Sequence, residues 1–113
     1  MLKRNFYGAE EVDMMIYAVT AENTIAEGKL FRIMQPSAGI TISYLMTAVP
    51  EADTPFRYDL TVTMNNQGII DQVFINDVSR DLAESKRIFR LFYENTVTPV
   101  TAYEVMDDYF ASL

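Results

Sequence analysis

From Phe56 to Met64 every second residue is apolar: Phe56, Tyr58, Leu60, Val62 and Met64 alternate with Arg57, Asp59, Thr61 and Thr63. A period of two puts successive side chains on opposite faces, so the stretch predicts a strand with one buried and one wet face. Asn65, Asn66, Gln67 and Gly68 follow as a turn, where Asn or Gly can take positive φ, and Ile69–Ile75 returns as the second arm of a hairpin. Upstream, Ile40, Ile42, Tyr44, Met46 and Ala48 alternate with Thr41, Ser43, Leu45 and Thr47 between Gly39 and Pro50, which predicts a third strand. Leu30–Met34 and Met14–Thr20 are also β-leaning, so the first half is expected to add two more strands.

The period changes at Asp77. Ser79 is placed to cap a helix by accepting from a first-turn amide, with Asp81 against the positive end of its dipole. On a helical wheel Leu82, Ser85, Ile88, Phe89, Phe92 and Tyr93 share one side, while Arg80, Glu84, Arg87, Arg90 and Glu94 lie opposite. Such a helix must lie across a sheet face. Asn95 and Pro99 end it, and Thr101 with Glu104 has the spacing of a capping box opening a short last helix. The apolar stripe of that helix is Ala102, Val105, Met106, Tyr109 and Leu113, with Phe110 beside it. Strands first and helices last predict an α+β fold: an antiparallel meander of about five strands followed by two C-terminal helices packed on one face. The whole of residues 1–113 reads as one domain, the first ten or so residues forming a loose arm.

Composition narrows the chemistry. There is no histidine and no cysteine, which removes the usual neutral-pH base, the sulfur nucleophile and the common zinc ligands. Sixteen acidic against nine basic residues give a net charge of −7, which repels a phosphate backbone and argues against nucleic acid. The longest apolar run, Met14–Val19, is far short of the ~20 residues of a membrane span. Lys3 and Arg4 lead into Glu10, Glu11 and Asp13 rather than an apolar core, so no signal peptide and a cytoplasmic location are expected. No glycine-rich phosphate loop and no G-x-S-x-G elbow is present, and no cofactor is implied.

Three candidate sites remain. Thr41, Ser43, Thr47, Thr61 and Thr63 would share a hydroxyl-rich sheet face; such a face is normally the wet side of a half-covered sheet, and it suits protein contact if Leu45 and some of Tyr7, Tyr17 and Tyr103 also emerge there. Arg87 and Arg90 stand in the densest run of cations and could meet an acidic protein or nucleotide, although Glu84 and Glu94 are spaced to screen them. Asp59, Asp71 and Asp77, with Arg57 or Arg80, could hold a divalent cation or small ligand, since a hard cation needs only oxygen donors. Asp107 and Asp108, adjacent on a helix and so about 100° apart, are read as a solvated face.

The stretch Asp77-Val78-Ser79-Arg80-Asp81, the striped helix to Asn95, Val97-Thr98-Pro99-Val100 and Tyr103 through Phe110 resembles a family of small uncharacterised proteins from Clostridia-type bacteria. The motifs are caps, a proline and an apolar stripe, and the resemblance implies no activity and no functional residue. The missing catalytic residue types, the Thr-rich sheet face and the seven Tyr and seven Phe of a small domain lead to the expectation of a non-enzymatic interaction or regulatory domain whose partner is another protein or a second copy, bound through a sheet face or edge. The competing expectation is the small-ligand or cation site.

Overall fold

The computed structural model describes residues 28–52 and 56–113, together with the backbone of two short strands, β1 (Tyr7–Gly8) and β2 (Glu11–Val12), which pair with each other. Four longer strands, β3 (Lys29–Ser37), β4 (Ile40–Pro50), β5 (Phe56–Asn66) and β6 (Ile69–Ser79), form an antiparallel meander in the order β3-β4-β5-β6. Two helices follow, α1 (Leu82–Glu94) and α2 (Ala102–Ala111), joined by a 3₁₀ turn at Pro99–Thr101. Among the described residues the main sheet thus has four strands where the periodicity suggested about five; the expected strand at Met14–Thr20 lies outside them.

The alternation along β4 and β5 does what a period of two requires. Ile42, Tyr44 and Met46 are buried beside Tyr58, Leu60 and Val62, and Leu30 and Ile75 extend the same face onto the outer strands. Ile88, Phe89 and Phe92 of α1, then Val97, Ala102 and Met106, close over them, so both helices contribute to one core on one face of the sheet. Tyr44 meets Phe92 edge-on, with ring centroids 6.5 Å apart. Its hydroxyl donates to the Val97 carbonyl at 2.8 Å, giving a fully buried phenol a partner. Leu82 and Leu113, expected on the apolar stripes, are exposed at the helix ends.

The turn after β5 falls on Gln67 and Gly68, both at positive φ, which makes the two-residue hairpin connection that matches strand twist. β6 runs further than Ile75. The change of period at Asp77 marks a bulge between the Leu60–Ile75 and Tyr58–Ser79 pairs, with Asp77 at φ +58°, after which the strand resumes through Ser79.

Ser79 does not cap α1. It is still paired in the sheet and buried, its hydroxyl accepting from the Asp81 amide and donating to the Glu84 carboxylate. The cap is Asp81, in extended conformation, whose carboxylate accepts from the Glu84 amide at 2.8 Å. Glu84 is thereby turned toward Ser79 and makes no ion pair with Arg87, while Arg90 and Glu94 do pair at 2.7 Å. The capping box at Thr101 and Glu104 is likewise absent. Pro99, with its φ already helical, starts the turn earlier, so Thr101 is in helical conformation and its hydroxyl faces back to Thr98.

Candidate functional site

Helices cover one face of the sheet, and the alternate residues of all four strands make up the other. Antiparallel register assigns these residues to rows. Phe31, Leu45, Thr61 and Phe74 lie in one row across the four strands, and Ile33, Ser43, Thr63 and Gln72 lie in the next. Thr41, Asn65 and Ile70 form a third. None of these eleven side chains is charged, in a chain of which 22% of residues are. Phe31, Ile33, Ile70 and Phe74 are 39, 42, 57 and 60% exposed, while the central Ser43, Leu45, Thr61 and Thr63 are half-buried between their neighbours. The Gln72 amide donates to the Thr63 hydroxyl at 2.6 Å and ties that hydroxyl laterally within the sheet.

Register places Thr41, Ser43, Leu45, Thr47, Thr61 and Thr63 on this one face, Thr47 in the row of Lys29 and Asp59. The alternation of β4 and β5 did not reveal that its flanks are apolar. Phe31 and Phe74 belong to the outer strands, and only the pairing register puts them at the two ends of the Leu45–Thr61 row. Tyr7 and Tyr17 have no described side chains. Tyr103 sits at the β6 edge, where its hydroxyl donates to the Phe74 carbonyl at 3.0 Å.

Charges gather at one end of the sheet. Arg57 grips Asp59 with two hydrogen bonds of 3.0 Å and reaches Glu51 at 3.2 Å; Arg80 holds Asp77 through two of its nitrogens at 3.0 and 3.1 Å and Glu51 at 2.9 Å. The Asp77 amide donates to Asp59 at 2.8 Å, which joins the bulge to the network. The hydrogen bonds from Arg80 hold the Asp77 carboxyl below the usual carboxylate range, and both guanidiniums are raised by their acidic partners. Asp71 is not part of this group. It pairs with Met64 toward the hairpin end, while Asp59 and Asp77 lie at the far end of the strands. Among the described residues no group of three acidic side chains is placed to hold a metal ion.

Arg87 and Arg90 are exposed on α1, on the opposite side of the sheet from the hydroxyl rows, and so do not join that surface. Arg32 lies over the Tyr93 ring, 4.3 Å from its centroid, and covers the flank of the same helix. A second exposed apolar group, Val100, Tyr103, Phe110 and Leu113, runs along α2, but Asp107 interrupts it and Glu104 and Asp108 border it. No helix among the described residues is long and apolar enough to cross a membrane.

Residues 57–112 match the model of a family of unknown function (DUF6514). The match takes in β5, β6 and both helices, including the stretch from Asp77 to Phe110. No curated protein and no solved structure matches the chain.

Proposed function

We propose that this chain is a non-enzymatic protein-interaction domain of the bacterial cytoplasm, and that it docks through the open face of its sheet. The observation that carries this reading is the uncharged, apolar-flanked surface of three rows, Phe31 to Phe74, Ile33 to Gln72 and Thr41 to Ile70. Charge depletion with aromatic anchors is what distinguishes the centre of a protein interface from ordinary surface. Strand propensity disfavours Lys and Glu only mildly, and eleven neighbouring uncharged positions that expose Phe and Ile exceed what it asks of a face that only meets water.

Edge pairing is the weaker route. β3 carries Pro36 at its register break, and β6 carries the Asp77 bulge and has its Phe74 carbonyl taken by Tyr103. Prolines and bulges are the devices that blunt strand edges. The cation-site reading has less support, because Asp59 and Asp77 are already satisfied by arginines and Asp71 stands apart.

The test is the triple variant Phe31→Thr, Leu45→Thr, Phe74→Thr, which keeps strand-favouring residues at each position. It should stay folded, with a loss of no more than about 3 kcal/mol, about 1 kcal/mol for each of three substitutions on the scale of strand propensity, yet lose the proteins, a differently tagged second copy included, that co-purify with the tagged wild-type chain. Retention of the same set would contradict the proposal.

A further inference from the structure

We infer that the occupant of the open face is a second copy of the chain, related by a two-fold axis running parallel to the strands and passing between β4 and β5. This rests on the docking-face reading and specifies its partner. The strand register specifies this axis. A two-fold along the strands lays β3 of one copy over β6 of the other and β4 over β5. The row Phe31, Leu45, Thr61, Phe74 is then its own complement: Phe31 meets Phe74 at each end, and Leu45 meets Thr61 in the middle. In the neighbouring row Ile33 faces Gln72 and Ser43 faces Thr63. An axis perpendicular to the strands would instead lay β3 over β3 and β6 over β6.

Charge agrees with the strand-parallel axis. Lys29, Thr47 and Asp59 share the row at the charged end of the sheet. Lys29 makes no ion pair among the described residues. The axis carries it across to the bulged end of β6 in the other copy, where the carboxylates of Glu51, Asp59 and Asp77 exceed the guanidiniums of Arg57 and Arg80 by one charge. The three central rows bring no charges together. Size agrees as well. Three strands of eleven residues and one of nine, at about 3.3 Å per residue and about 4.8 Å between strands, present roughly 650 Å² per copy, and about 1,300 Å² for the pair falls within the range of specific stable interfaces. Facing sheets pack about 10 Å apart with their strands turned by about 30°, which keeps each row over its partner near the axis.

The experiment uses the absence of cysteine in this chain. Ile33→Cys and Gln72→Cys are prepared separately, leaving both Phe anchors in place, and are treated with a bismaleimide of about 10 Å reach, matched to the spacing of facing sheets. The mixture should cross-link Ile33→Cys to Gln72→Cys at least fivefold more than either variant cross-links to itself. In parallel, sedimentation equilibrium should show wild type as a dimer and Leu45→Asp weakened at least tenfold. Preferential self-linking of Ile33→Cys would overturn the proposed axis. A wild-type monomer throughout the high-micromolar range would overturn the second copy as occupant; the docking face itself would fall only if the triple Thr variant also kept every co-purifying protein.

Discussion

Tyr44 shows how much a single residue carries here. It is fully buried at the centre of the sheet, packs edge-on against Phe92 and spends its only proton on the Val97 carbonyl just beyond α1. Tyr44→Phe keeps the ring and leaves that carbonyl without a donor, so urea denaturation should show a loss of about 1–3 kcal/mol. Burial also pushes the Tyr44 hydroxyl well above its ordinary value near 10, because the ionised form would lose its water. The folded state therefore holds this proton more tightly than the unfolded chain. Its contribution is intact below about pH 10 and is lost as pH rises beyond that. The Phe variant should accordingly lose less stability than wild type between neutral pH and the alkaline range. The burial of Tyr44 was legible in the alternation of β4. Its partner was not, because nothing local in the sequence ties a strand residue to a carbonyl 53 positions away.

At the scale of elements, the ends of the helices are where sequence and structure part. The end of α1 is a Schellman motif: the Thr96 amide bonds to the Tyr93 carbonyl, and the Val97 amide bonds to that of Phe92. The position that should be left-handed is filled by Thr96, at φ +50°. A β-branched residue is strained there, so Thr96→Gly should stabilise the protein by about 1 kcal/mol, less than the full left-handed penalty because glycine gives up more entropy on folding. A thermal melt would show this as a rise, and an unchanged or lower midpoint would remove the claim of strain. Helix existence and the buried side of α1 followed from its period, whereas the caps did not. Ser79 and Asp81 are both good caps by type, and the choice between them was made by how far β6 extends past its bulge, a property of pairing with Tyr58. In the same way Pro99 overrode Thr101 by starting the turn two residues earlier.

For the whole molecule, the meander, the helix-covered face and the hydroxyl rows of β4 and β5 were all visible in simple alternation, because each is a property of one strand at a time. The candidate interface is a property of four strands together. Thr61 became the neighbour of Phe74, and Leu45 of Phe31, only once register was known. The same register separated Asp71 from Asp59 and Asp77 and so divided the acidic trio that the sequence placed together. What results is a two-layer molecule with one face sealed by helices and the other bearing three uncharged rows beside a charged end, a form that a second layer completes.

The most direct test of that claim is a dilution series of the wild-type chain followed by amide chemical shifts. Concentration-dependent shifts should concentrate at Phe31, Ser43, Leu45, Thr61, Thr63 and Phe74, leaving Arg87, Arg90 and Phe110 unmoved. Shifts confined to the helices, or none at any concentration, would contradict it.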